Sequence, residues 1–329
     1  MRNFIHPNTR EKLDKDLAGN LVLKSGDDTI IFKNNDGCYD FASHCLDAIE
    51  LHQEREYYDR EYAQKELEAL LPQDIKGEWS DWMTPWRATL LSSLGDLSQK
   101  KILLLGNGET TREFYFAMAG ADVIWTDLSL ESVKHRKKQF EKSRIAAMRC
   151  GSMEFHAVEA SHLPFPDESF DIIYGAAFVH HLSMTELDMF FNEVHRCLKT
   201  NGLCRFIDQA YSPVWRNLSQ TVLWPFKKFS YWTHPRSPAD LRADREGGMR
   251  KENLYHLMMK HGFSEMLFER EWFCFRIVTR HYGMLVNYNR AAMILAKPLF
   301  KFVKWTDLCL MNSAFMQKNG LMLIWGFTK

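Results

Sequence analysis

Residues 101–127 read KILLLGNGETTREFYFAMAGADVIWTD, and the order of apolar runs, glycines and acid in this stretch decides the fold. An apolar run, Ile102 to Leu105, stops at Gly106-Asn107-Gly108. A helical pattern follows, and a second apolar run, Val123 to Trp125, leads into Asp127. Strand, glycine turn, helix, strand, acid is the order that builds a nucleotide pocket in a parallel α/β sheet. Glycines carry no Cβ, so the backbone can pass close under a ligand. An acid at the end of the second strand stands where it accepts both hydroxyl hydrogens of a ribose. The competing reading is local: Asp127 or Ser129 caps the helix that follows.

Working outward, apolar runs predict strands at 101–105, 122–126, 153–158, 170–175 and 203–208, with helices near 110–119, 130–144 and 184–198 between them. Lys199-Thr200-Asn201-Gly202 reads as a helix stop. Alternation of this kind implies a parallel, doubly wound α/β sheet. A helix at 251–261 and strands near 264–270 and 320–327 would finish it. Upstream, LVLKSGDDTIIFKNNDGCYDF reads as short alternating strands with Gly-Asp and Asn-Asp-Gly turns. Residues 46–72 switch to a helix that Pro72 ends, its Glu- and Asp-rich faces reading as solvated surface. A further helix is expected from Pro85 to Leu94. The chain thus divides into a β-rich lobe (1–45), a helical cap (46–98), an α/β core (99–210), a lid insertion (211–250) and the C-terminal part of the sheet (251–329). That last part carries a second lid insertion, 272–318.

Composition bounds the function. The 329 residues are 46% hydrophobic and 26% charged, ordinary globular values. Lys+Arg and Asp+Glu balance at 42 each, so no general attraction to nucleic acid or anionic lipid is implied. Seven scattered cysteines without a CxxC pair suggest reduced thiols and a cytoplasmic setting. No apolar run approaches the about 20 residues of a membrane span, and the N-terminus lacks a signal-peptide core. The basic run Lys134-His135-Arg136-Lys137-Lys138 reads as a solvated helix face in preference to a nucleic-acid contact.

Two further pieces stand at predicted strand ends: Glu159-Ala160 before LPFPDESFD, and Gly175-Ala176-Ala177-Phe178-Val179-His180-His181-Leu182. With the glycine turn and Asp127, they resemble the class I S-adenosylmethionine-dependent methyltransferases. The resemblance lies in the small-molecule branch that includes the ubiquinone and menaquinone enzymes. EASHLPFPDESFDIIYGAAFVHHL and FFNEVHRCLKTNGLCRFID are similar to that branch's adenine-side acid, HHL turn, and helix with fifth strand. The resemblance covers roughly 100–210. It implies a seven-stranded Rossmann-like sheet, S-adenosylmethionine as cofactor and methyl transfer to a small molecule.

Position by position, it implies that Gly106, Asn107 and Gly108 pass under the methionine part. Asp127 would bind the ribose and Leu128 the adenine face, with Glu159 and the Ala160 backbone at the adenine edge. Gly175 and Ala176 would border the methyl-bearing sulfur. Two positions depart from the pattern: Leu104 replaces an acid and Thr110 a glycine, with Glu109 as a stand-in for the lost charge. A fold that binds without catalysing therefore stays an alternative, as does an RNA methyltransferase.

His180 and His181 are the natural bases for a hydroxyl acceptor, against the plainer reading that they hold the loop. His162, His234 and His281 are further candidates, and His156 belongs to the third strand. Residues 4–41 resemble the small zinc-ribbon-like domain that precedes some methyltransferases. His6-Pro7 stands for Cys-Pro and four ligands cannot be assembled, so no metal is expected. Aromatics in 211–250 and 272–318, among them Trp215, Trp224, Trp232, Trp272, Phe302 and Trp305, suggest a lid over the methyl group. Such a lid favours a bulky apolar, aromatic or lipid-linked acceptor, most simply methylated at oxygen. The helix Ala291–Trp305, with Lys297, Lys301 and Lys304, reads second as a peripheral membrane contact.

Overall fold

The computed structural model describes residues 3–25, 28–45, 49–79, 86–106, 111–143, 145, 151–214, 217, 249–271, 290–310 and 313–329. The described parts of 101–127 follow the expected order, with a helix shorter than the expected 110–119. Strand β4 (Lys101–Leu105), helix α4 (Phe114–Met118) and strand β5 (Asp122–Asp127) follow one another, and β4 pairs in parallel with β5. Alternate residues of β4 enter two different cores. Ile102 and Leu104 lie in one buried cluster, Leu103 and Leu105 in the other. A strand covered on both faces must be apolar at every position, which is why KILLL shows no alternation.

Helix α5 (Leu130–Lys142), strands β6 (Ser152–Ala157) and β7 (Phe170–Ala176), helix α6 (Met184–Cys197) and strand β8 (Leu198–Gln209) continue the core. After it come α7 (Lys251–Lys260), β9 (Ser264–Glu271), α8 (Arg290–Leu310), α9 (Ala314–Asn319) and β10 (Met322–Thr328). The strand order is β6-β5-β4-β7-β8-β10-β9, parallel through β8, with β10 antiparallel to both neighbours. From β4 the chain winds one way to β5 and β6, then crosses back to β7. The switch point lies between β4 and β7, and ligands of such sheets bind outside the carboxyl ends there. Gly106, Asp127 and Gly175 all stand at that edge.

The N-terminal strands β1 (Asp14–Lys15), β2 (Leu21–Ser25) and β3 (Asp28–Phe32) form a three-stranded antiparallel sheet. It is fastened to the core. The Phe41 N–H donates to the Ala157 carbonyl (2.8 Å) and Ala157 N–H to the Tyr39 carbonyl (2.9 Å), so residues 39–41 cover the open edge of β6. Phe4, Phe32 and Phe41 join the same buried cluster as Phe165 and Phe190. Among the described residues no group of His, Cys, Asp or Glu side chains converges to hold a metal ion. Burial pushes the Cys38 thiol up to about 11 and the Cys197 thiol up to about 12, so both stay protonated and inert.

Three expectations need correction. The helix over 46–72 is two elements: α1 (Ile49–Ala63) ends early, and Pro72 opens α2 (Pro72–Trp79). The backbone of 67–70 bonds sideways to α5 instead of to itself. Lys142 Nζ donates to the Leu67 carbonyl, Gln139 Nε2 to that of Glu68, and Leu70 N–H to Ser143 Oγ. Proline's missing N–H costs nothing at a first turn. The helix ends at Cys197, as the stop at 199–202 implies, but β8 starts at Leu198 and takes in 199–202 instead of starting near 203. The basic run of α5 is solvated only in part, with Lys138 exposed and Arg136 not. Arg136 is buried with Nη1 on Gln139 Oε1 (2.6 Å) and Nη2 on Tyr62 Oη (3.2 Å). Lys134 pairs with Glu131, and Lys137 reaches Glu141 and the Asp36 carbonyl. The predicted helix over 85–94 is α3 (Trp86–Ser92).

Candidate active site

At the end of β5, Asp127 Oδ1 accepts the Ser129 N–H (3.0 Å). Ser129 is the N-cap of α5, its hydroxyl accepting from Ser132 N–H (3.0 Å). Asp59 of α1 accepts the Ser129 hydroxyl (2.6 Å) and the Glu131 N–H (3.2 Å). Ser129 and Asp59 thus cap the helix, while Asp127 holds the N–H of the capping residue itself. Leu128 is half-buried against the neighbouring apolar cluster.

Beyond β6, Glu159 is buried and its carboxylate organises its own turn. It accepts Ser161 N–H (3.0 Å to each oxygen), the Ser161 hydroxyl (2.6 Å) and His162 Nδ1 (2.7 Å). Ala160 follows directly, half-buried beside the core. Asn107, Gly108, Glu109 and Thr110 lie outside the described residues. Leu104 is fully buried, and just past the turn Arg112 Nε pairs with Glu113 Oε1 (3.0 Å) while the Tyr174 hydroxyl donates to the same oxygen (3.1 Å). Burial, with Glu113 alongside, pushes the Tyr174 phenol above its ordinary range, so it remains a donor.

Gly106 and Gly175 face one another across the switch point, with the Phe178 ring packed where their side chains would stand. A Cβ on Gly106, which has φ +61°, would lie 2.4 Å from Phe178 Cβ. One on Gly175 would lie 2.3 Å from Phe178 Cε1. Close packing of an aromatic ring therefore requires these glycines whatever else passes over them. Gly175→Ala should cost about 1–3 kcal/mol of stability by overpacking. Phe178→Leu in the same chain should recover part of that loss; urea denaturation of the three variants checks it.

After β7, Ala177 adopts φ +59°, rare for a residue with a Cβ, and its N–H donates to the Ile207 carbonyl (2.7 Å). The chain then turns so that His180 and His181 stand side by side, ring centroids 4.3 Å apart. Each is held by a carboxylate. His180 Nδ1 lies 2.9 Å from Asp208 Oδ1, and His181 Nδ1 lies 3.1 Å from Glu54 Oε1. A carboxylate only accepts, so each Nδ1 carries hydrogen and Nε2 is the basic nitrogen. Asp208, at the end of β8, is fully buried and also faces Trp325 Nε1 (3.4 Å). Glu54 arrives from α1, whose buried residues are Glu54 and Tyr62.

The structure brings Gly106, Asp127, Gly175, Ala176, His180 and His181 to one edge of the sheet. His162 is tied to Glu159, and His156 lies within β6, its Nδ1 accepting Tyr39 N–H (3.2 Å). His234 and His281 lie outside the described residues, as do lid positions 215–216, 218–248 and 272–289. Glu54, Asp59, Asp208 and Phe178 were not anticipated. Asp208 repeats the strand-end acid pattern of Asp127 and was findable; Glu54 had no distinguishing signal in an acidic helix.

Residues 103–206 match the family model Methyltransf_11, described as a methyltransferase domain. A demethylmenaquinone methyltransferase of Streptomyces griseus is 29% identical over 131 residues, 39% of this chain and 52% of that protein. One of Paenarthrobacter aurescens is 30% identical over 140 residues, 40% and 49% of the two chains. The match thus spans about half the length of these relatives. In fold, the chain is similar to phosphoethanolamine N-methyltransferase 2 of Haemonchus contortus, solved with phosphomonomethylethanolamine and S-adenosylhomocysteine. That likeness has a TM-score of 0.52 at 13% identity, covering 94% of this chain and 70% of that one. Residues 103–206 thus carry a methyltransferase domain, similar in sequence to part of the demethylmenaquinone methyltransferases and in fold to the phosphoethanolamine enzyme.

Proposed function

We propose that the chain transfers a methyl group from S-adenosylmethionine to a hydroxyl of a bulky apolar or aromatic small molecule, of the lipid-linked kind its quinone-modifying relatives suggest. The residues present fit the cofactor. Asp127 stands at the switch-point edge, at the end of the second core strand, where its carboxylate would bind the ribose hydroxyls. Leu128 would lie on the adenine face, and Glu159 holds the turn that presents Ala160 at the adenine edge. Gly106, Asn107, Gly108, Gly175 and Ala176 would border the methionine part. The cofactor, when bound, supplies a methyl group on a positively charged sulfur, which reacts with any nucleophile held in line with it.

The observation that carries a hydroxyl acceptor is the His180–Asp208 pair beside Gly175 and Ala176. His180 Nε2 takes the acceptor's proton, and Asp208 holds the ring's orientation and stabilises the imidazolium that forms. The deprotonated oxygen is then the nucleophile. On an aromatic acceptor the same step also enriches the ring carbons conjugated to that oxygen, and mass spectrometry of the product reads which atom is methylated. His181, held by Glu54 of α1, is the second base candidate and ties the cap to the site.

Calorimetry with S-adenosylhomocysteine tests the cofactor assignment. Asp127→Ala should weaken binding about 10–100-fold, the loss of hydrogen bonds to a charged group. Asp96→Ala, at an exposed turn before β4, should leave it unchanged. Absence of binding to folded protein would favour the alternative, a regulatory protein that keeps the fold. An RNA substrate is disfavoured by the chain's balanced charge and by α5, where Lys134, Arg136 and Lys137 bind partners within the protein.

A further inference from the structure

The sequence of α8, RAAMILAKPLFKFVKWTDLCL, carries four basic residues and one acid, in a chain whose total charge is zero. The structure turns that acid inward: Asp307 is fully buried, one helical turn from buried Val303. These two seat the C-terminal half of the helix on the protein. The other side of the same half is apolar and open. Pro298, Phe302, Trp305 and Cys309 recur at steps of four, three and four and are all exposed, with Leu308 beside them. Phe302 and Trp305 are each 60% exposed, their rings 6.0 Å apart. Lys301 is exposed on the same side, and Lys304 lies half-buried at its border.

An outward stripe of Phe, Trp and Leu flanked by lysines, with the acid withdrawn, has the chemistry of an interfacial helix. The rings enter the boundary between headgroups and acyl chains while ammonium groups meet phosphates. Helix α8 does not span: among the described residues no helix is long and apolar enough to cross a membrane. Its position suits contact. Through α9 it leads into β10, whose first residue, Met322, pairs with Gln209 at the end of β8. That is the edge of the sheet carrying His180 and Asp208.

We propose that the Phe302–Trp305–Leu308 face of α8 docks the protein on an anionic phospholipid surface. The proposal does not depend on methyl transfer and is tested apart from it. The full chain is sedimented with vesicles of phosphatidylcholine alone and of phosphatidylcholine with phosphatidylglycerol. The expected result is binding to the anionic vesicles at least tenfold above the neutral ones. Lys301→Glu should weaken it about tenfold and Phe302→Ser/Trp305→Ser should abolish it, with melting and S-adenosylhomocysteine binding unchanged in both variants. Equal binding to both vesicles, binding to neither, or retention in both variants would overturn the proposal. So would a concentration-dependent dimer that Phe302→Ser/Trp305→Ser dissolves, which would assign the face to a second copy of the chain. The lysine variant keeps the test decisive if the double serine variant fails to fold.

Discussion

Asp208→Asn should lower kcat about 10²–10⁴-fold while leaving S-adenosylhomocysteine affinity and melting close to wild type. Asparagine matches aspartate in shape, so the space at the end of β8 stays filled. Its charge is lost, and with it the stabilisation of a protonated His180. Asparagine can also present its NH₂ to Nδ1, turning the ring to the tautomer whose Nε2 carries hydrogen and cannot act as a base. His180→Ala should cost as much, and the double variant little more, because the two residues act as a unit. Glu54→Gln separates the two histidines. If His180 is the base, this change should lower kcat less than tenfold, since His181 then holds only the loop and the cap. A loss at Glu54→Gln with Asp208→Asn nearly silent would move the base to His181. Single-turnover rates with saturating cofactor, measured beside calorimetry, read the two effects separately.

The contrast between His180 and His181 also shows where reading the chain succeeds. Strand β4 was visible because a strand buried on both faces must be apolar throughout, and Asp127 because its distance from the glycine turn is set by one helix and one strand. The partner of His181 was not visible. Glu54 lies 127 residues away, in a helix with acids on every side, and only the docking of α1 over the sheet edge selects it. Within the basic run of α5 the same holds for Arg136, which looks solvated until the helix that covers it is known. Phe178 is the converse case. Gly106 and Gly175 were anticipated as ligand-facing, while the structure gives them a second, steric reason in the ring that fills both missing Cβ positions. The segments LPFPDESFD and FFNEVHRCLK resemble a family pattern in sequence; their physical content appears only in the side-chain network of Glu193 and Arg196.

That network makes Arg196→Met the largest expected loss of stability. Arg196 is buried and spends all five of its N–H groups. Nε and Nη2 bind the Glu193 carboxylate (3.0 and 2.7 Å). Nη1 binds the Phe165 carbonyl (2.7 Å) and Asp167 Oδ1 (2.8 Å), and Nη2 also binds the Leu163 carbonyl (3.0 Å). Burial alone would lower its pKa, but Glu193 and Asp167 hold it above the usual arginine range, so the charge is permanent. Glu193 in turn accepts Leu163 N–H (3.0 Å) and Arg10 Nη2 (2.9 Å), joining the N-terminal lobe to α6. Methionine fills much of the volume but leaves two buried carbonyls without their donor and a buried carboxylate without its principal counter-charge. Removing one member of such a pair costs about 3–5 kcal/mol, or roughly 6–20 °C of melting temperature at about 2–4 °C per kcal/mol for a sizeable domain. Arg196→Met/Glu193→Met should recover part of that loss, because the stranded carboxylate goes with its partner. If the double variant melts no higher than the single one, the cost lies in the carbonyls of the 163–165 segment. Cofactor affinity should then fall alongside stability, because that segment fixes the turn from Glu159 to His162.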